Sequence, residues 1–236
     1  MPLSSLTFFG HAFFSITTSG GKKVLLDPWV EGNPACPITL ADITAADLVL
    51  VTHDHADHVG QAGDIVKKTG AMLVANVETA SRLARDHDIP QDQVLFGGYG
   101  MNIGGTTEVA GVRITQTQAF HSSASGVATG YILQLEDGPC LYHAGDTGVF
   151  GSMGTLAATH GINVALLPIG SVFTMDPVQA LAAVGLIKPK LVVPMHYGTF
   201  PILVQSADDF AQSVRKTYPE VRVSPLKPGE TIELNV

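Results

Sequence analysis

The sequence predicts an α/β fold in which strands and helices share one core. Three observations carry that expectation. At 236 residues the chain can bury one substantial core. Hydrophobic residues make up 45% against only 14% charged, a balance richer in interior than the average globular protein. Short apolar, β-branched runs alternate along the chain with segments of helical periodicity. No internal repeat, low-complexity tract or charge block divides the chain, so one domain spanning 1–236 is expected.

In chain order, the strand-like runs are KKVLLDP from Lys22, DLVLVTHDH from Asp47, AMLVAN from Ala71 and VRITQTQAFH from Val112. They continue with GYILQLE from Gly130, CLYHAGD from Cys140, INVALLPIG from Ile162 and LVVPMHYG from Leu191. The last piece, GETIELNV, would close the fold. Helical patterns run from Val77 to His87, from Asp176 to Ile187 and from Ser206 to Tyr218. Asp176 before Pro177 reads as an N-cap followed by a first helical turn. Behind Ser206, the residues Ala207, Phe210, Ala211 and Val214 recur at helical spacing, with Asp209 three residues on as at a capped start. His87 in a polar helix, and His160 near a helix end before Gly161, read as structural or solvated histidines.

The formal net charge of -8, from 13 Lys+Arg against 21 Asp+Glu, argues against a polyanionic partner such as nucleic acid. Cys36 and Cys140 stand far apart and in no CxxC spacing, so neither a disulfide framework nor a thiolate zinc site is expected. The stretch MPLSSLTFFGHAFF lacks a basic leading region and is interrupted by Gly10 and His11, unlike a signal peptide. No run approaches the roughly eighteen apolar residues of a spanning helix. A cytoplasmic protein acting on a small molecule is the expectation, and its high apolar content leaves room for a homo-oligomer.

The chemistry concentrates in LVLVTHDHADH, an apolar strand running into His53, His55, Asp57 and His58. Residues two apart on extended chain face one side, so His53 and His55 can aim at one ion, and a following turn can aim Asp57 and His58 at a neighbouring position. Imidazole and carboxylate at this density suit zinc, manganese, iron or nickel better than calcium. Other strands end in further donors: Asp27 after VLL, His121 after QTQAF, Asp146 after LYHAG and His196 after VVPM. Each is weak alone, but α/β folds place functional residues beyond the carboxyl ends of their strands.

These residues resemble the metallo-β-lactamase superfamily, whose HxHxDH signature stands here as His53-Asp54-His55-Ala56-Asp57-His58. Asp27, His121, Asp146 and His196 follow in the superfamily's order. The segments GHAFF, MNIGG, AFHSS, YHAGDTGVF, LPIGSVFTM and PMHYGTFP are similar to a compact, largely uncharacterised branch of metal-dependent hydrolases. The chain departs from that branch at Ser171 and Val172, where relatives often carry an acidic or amide residue.

The resemblance implies a four-layer αββα sandwich, two mixed sheets flanked by helices. It implies that His53, His55 and His121 bind one metal, that Asp57, His58 and His196 bind a second, and that Asp146 bridges. The metals would be two divalent ions, zinc first, with manganese, nickel or iron as alternatives. Asp27 would orient a ligand histidine by accepting its other ring N–H, against a simpler role as a turn former before Pro28. His11 and His143 would face the pocket as substrate contacts or proton shuttles, against a simpler role as hydrogen-bonded structural histidines. A shared, ionised water would be the nucleophile, with Asp57 as proton relay. It would cleave an ester, lactone or amide bond of a small metabolite, and the positive site would suit an anionic one. The alternatives are a phosphodiesterase or nuclease, a di-iron oxidoreductase, and a metal-binding module without catalysis.

Overall fold

The computed structural model describes residues 3–236. The first half builds β1 (Ser5–Phe8), β2 (Phe14–Thr17), β3 (Lys23–Leu26), β4 (Leu48–Leu50), the short helix α1 (Ala56–Val59), α2 (Ala62–Thr69), β5 (Met72–Val74), α3 (Val77–Asp86) and the distorted turn α4 (Leu95–Gly98). The second half begins with β6 (Thr106–Val109), β7 (Val112–Gln118), β8 (Thr129–Gln134), β9 (Cys140–His143), α5 (Met153–His160) and β10 (Val164–Pro168). It ends with α6 (Pro177–Ile187), β11 (Leu191–Met195), α7 (Asp208–Thr217), β12 (Arg222–Val223) and β13 (Thr231–Glu233).

Two mixed sheets result, in the orders β13-β1-β2-β3-β4-β5 and β12-β11-β10-β9-β8-β7-β6. In the first, pairing is antiparallel from β13 through β3 and parallel across β3, β4 and β5. In the second, it is antiparallel from β6 to β9 and parallel from β9 to β12. The runs read most clearly as strands are the parallel ones, β4, β10 and β11. Every residue in them is buried, because a strand covered on both faces reads as continuous apolar sequence.

The sheets pack face to face. Leu6, Phe14, Ile16 and Leu50 of one meet Ile114, Leu133, Leu166 and Val193 of the other. Val49, Val51 and Leu73 point the opposite way, onto Ile65 and Val66 of α2 and Leu83 of α3. The outer face of the second sheet, including Tyr142, Leu167 and Val192, is covered by Met153 of α5, Val184 of α6 and Phe210 of α7. This is the four-layer order of helices, sheet, sheet and helices.

α6 starts as expected, with the Asp176 side chain accepting the Gln179 N–H at 2.7 Å. α7 starts two residues later than the sequence suggested. Ser206 still accepts the Asp208 N–H at 3.1 Å, but from outside the helix. The β1-β2 hairpin was not anticipated, since Gly10 and His11 look like an interruption; they form its bend, with φ of 100° and 60°. Cys36 and Cys140 are both free thiols. Among the described residues, no helix is long and apolar enough to cross a membrane.

Candidate metal centre

Five chain segments meet at one edge of the sandwich, each leaving the carboxyl end of a strand. β4 runs into His53, His55 and α1 with Asp57 and His58; Asp27 directly follows β3, His121 lies just beyond β7, Asp146 beyond β9, and His196 directly follows β11. Donor atoms of His53, His55 and His121 lie within 4.8 Å of one another, as do those of His53, His58 and Asp146, and those of His11, Asp57, His58 and His196. His53 Nε2 is 2.9 Å from His55 Nδ1, which is 3.2 Å from His121 Nε2. Asp146 reaches across the groups, with Oδ2 at 3.0 Å from His196 Nε2 and 3.7 Å from His121 Nε2. The sequence-derived donors thus converge, and His11 stands against them with a ring nitrogen in the same group.

The residues fit a cation. His58 Nε2 and Asp146 Oδ1 face each other at 3.2 Å, both buried and with no polar partner that forms a regular hydrogen bond. Burying such atoms is costly without a partner, and convergent imidazole and carboxylate donors suit a borderline metal. Protonation points the same way. Burial, reinforced by neighbouring His58, pushes His53 down to about 3, and burial likewise lowers His121. Burial would raise Asp57 and Asp146, but it is outweighed, for Asp57 by the His11 hydrogen bond and for Asp146 by the charges of His58 and His196. Neutral imidazoles and ionised carboxylates are the forms that bind metal. His58 is the exception: burial is overridden by Asp146 and Asp27, which hold it protonated. A metal held at Nε2 would have to displace that proton.

Asp27 combines the two roles weighed for it. It bends the chain with a φ of 47°, and its carboxylate accepts His58 Nδ1–H at 2.7 Å, the Thr52 N–H at 2.8 Å and the Thr52 hydroxyl at 2.7 Å. That leaves His58 Nε2 directed at Asp146. Asp27→Asn is expected to weaken metal affinity about 10- to 100-fold, as measured by competition with a chromophoric chelator.

Asp54 carried no signal of its own in the sequence, yet it ties two parts of the centre together. It accepts hydrogen bonds from Ser123 Oγ at 2.8 Å, Ala124 N at 2.6 Å and Ser125 Oγ at 2.5 Å, and pairs with Arg82 at 2.6 Å. The loop carrying His121 is thereby fastened to the loop carrying His53 and His55. Burial opposes ionisation of Asp54, but these donors outweigh it and bring the carboxyl down to about 2. Asp54→Ala is expected to cost about 2 kcal/mol through unpaired loop donors, seen by calorimetry as a fall of several degrees in Tm. Because the folded pKa is depressed, the gap between wild type and variant is full above the ordinary carboxylate value of about 3.9 and shrinks as pH falls through about 2.

His11 Nε2 lies 3.1 Å from Asp57 Oδ2, and its Nδ1 is 2.6 Å from Thr199 Oγ1. Burial lowers His11 to about 4, so the ring is neutral and the network runs from the Thr199 hydroxyl to Nδ1 and from Nε2–H to Asp57. Of the two readings open for His143, the structure matches the hydrogen-bonded structural one and not the pocket histidine. Its Nε2 donates to the Ala12 carbonyl at 3.1 Å and its Nδ1 accepts the Gly145 N–H at 3.2 Å. It braces the turn before Asp146 from within the core, with Phe14 edge-on at 5.8 Å.

Of the nine non-glycine residues with positive φ among the described residues, His11, Asp27, Ser171, Val172 and His196 lie in segments that form this edge. Backbone strain of this kind persists where the surroundings over-determine it, commonly at functional sites. Above the donors lies a cavity of about 340 Å³, whose remaining walls are Ser122, Phe173 and Phe200. Neither phenylalanine was singled out from the sequence, since nothing local marks an aromatic residue as a pocket wall.

This fold and this donor set define a metallo-β-lactamase-type metal centre. The chain belongs to the metallo-β-lactamase superfamily: the family described as "Beta-lactamase superfamily domain" matches residues 22–197. Within it the chain is a metal-dependent hydrolase. A relative from Nitratidesulfovibrio vulgaris, described as a UPF0173 metal-dependent hydrolase, is 50% identical over 230 residues, covering 98% of this chain and 95% of its own length. One of the same description from Pyrobaculum islandicum is 46% identical over 232 residues, covering 97% of this chain and 99% of its own. Among solved structures, a metallo hydrolase from Ignicoccus hospitalis superposes with a TM-score of 0.88 at 38% identity, covering 100% of both chains.

Proposed function

We propose that this chain, acting as one domain, hydrolyses an ester, lactone or amide bond of a small metabolite with two divalent metal ions, zinc foremost. His53, His55 and His121 would hold one ion, and Asp57, His58 and His196 the other, with Asp146 shared between them. The observation that carries the reading is the convergence of three overlapping donor groups around the buried His58 Nε2 and Asp146 Oδ1, which face each other without a regular hydrogen bond. Held there, two ions would supply Lewis acidity, enough to lower the pKa of water from about 15.7 toward 7.

The protein's own groups do the rest. Asp57 Oδ2 accepts the proton released on attack and passes it to the leaving group, while His11 Nε2–H, 3.1 Å away, fixes the orientation of that carboxylate. Asp27 and Thr52 hold the His58 ring, and Asp54 keeps the His121 loop closed against the motif. No serine or cysteine nucleophile is needed. The test is elemental analysis combined with a screen of chromogenic ester, lactone, amide and phosphodiester substrates. Turnover of an ester, lactone or amide with stoichiometric metal is expected; cleavage of bis-p-nitrophenyl phosphate alone would replace this reading with a phosphodiesterase.

A further inference from the structure

The cavity walls are chemically lopsided. Its floor is made of the metal-centre residues, but the side chains that rise from it are two phenyl rings and one serine, with no lysine or arginine among the lining residues. Phe200 is a fixed wall. Its ring stacks on Trp29 at 5.7 Å between centroids and 21° between planes, and meets His11 edge-on at 5.6 Å. Trp29 is itself 8% exposed, so the stack is anchored in the body of the protein.

Phe173 is held differently. It follows Ser171 and Val172, with φ of 64° and 56°, a conformation that is a genuine outlier for a β-branched residue. The turn is closed by Ser171 N–H donating to Met175 O at 3.0 Å and Phe173 N–H donating to Ser171 O at 2.5 Å. This strain serves no buried packing, because Val172 is 62% and Phe173 53% exposed. Its result is an apolar ring at the lip of the cavity, facing the same space as Phe200. A charged substrate tail would find there no side-chain counter-ion and two surfaces that disfavour its desolvation. An apolar tail would bury both rings, and 340 Å³ lies within the range of small-ligand sites.

We propose that the substrate group beside the scissile bond is uncharged and apolar, an alkyl or aryl acyl group seated between Phe173 and Phe200. The anionic metabolite that the metal charge alone would suit finds no second cation in this cavity. The proposal rests on the hydrolase reading for its reaction, but tail recognition can be measured without turnover.

The test titrates the zinc-loaded full-length protein with hydroxamates from acetohydroxamate to octanohydroxamate. The head group stays constant while the tail grows, and binding is followed by the emission of Trp29, the chain's one tryptophan. Affinity should rise about three- to fourfold per methylene until the cavity fills. Phe173→Ala and the milder Phe200→Leu should each reduce the increment to less than about twofold, and succinohydroxamate should bind at least about tenfold more weakly than butyrohydroxamate. A flat series, or tighter binding of the carboxylate-tailed compound, would overturn the proposal. Parallel assays with p-nitrophenyl acyl esters separate the two ideas. A rising hydroxamate series with no turnover of any ester or amide would defeat the hydrolase reading while this one stands, and a flat series with brisk ester turnover would do the reverse.

Discussion

Asp57→Ala is expected to lower turnover at least about a thousandfold while leaving the fold intact. The carboxylate leaves α1 toward the cavity, with 26% of its side chain exposed, 3.1 Å from His11 Nε2 and 3.9 Å from His196 Nε2. It contributes no apolar packing, so the fold itself does not depend on it, and any fall in Tm is bounded by the metal's own contribution. Removing it takes away both a donor for the metal and the group proposed to carry the proton, a role that alone accounts for about 10²- to 10⁴-fold in typical enzymes. His55→Ala should behave alike, because His55 Nδ1 sits between His53 and His121. The measurements are kcat on whichever substrate the screen yields and far-UV circular dichroism with thermal melting of the same samples. Full turnover in either variant would contradict the assignment.

The donor-bearing segments were legible because their spacing is a local matter. A buried strand followed by HDHADH puts four donors within six residues, and Asp27, His121, Asp146 and His196 could be picked out as residues ending apolar runs. What was not legible depends on distant chain. Asp54 looks like a filler between two histidines until Ser123, Ala124 and Ser125, some seventy positions on, arrive to donate to it. His11 reaches Asp57 only because Gly10 and His11 bend the β1-β2 hairpin, a turn the Phe-rich sequence conceals. For His143 the sequence left a pocket role and a structural one open, and strand parity decides between them: it lies two residues from Leu141 on β9, and Leu141 points into the core between the sheets. Strand alternation sends His143 the same way, toward Phe14. The cavity walls Phe173 and Phe200 belong to loops whose paths no local pattern specifies.

Dialysis against a strong chelator is expected to abolish hydrolysis and lower Tm by about 10 °C, with both restored by added zinc. The thermal effect follows from linkage. A metal present at 100 to 1,000 times its dissociation constant stabilises the folded state by about 3–4 kcal/mol, and in a chain of this size each kcal/mol moves Tm by about 2–4 °C. The residues explain why the folded state should depend on the cation: without it, Asp57, Asp146 and Asp27 crowd one edge, and His58 must keep a proton to offset the two carboxylates flanking it. The same experiment separates the competing readings. Loss and recovery of Tm without turnover on any substrate would make the metal a structural element of a binding module. Iron as the metal of the protein as purified, with no hydrolysis under any divalent ion, would point to the di-iron oxidoreductase. Restoration of both properties by zinc is the outcome that a hydrolytic centre built from these donors requires.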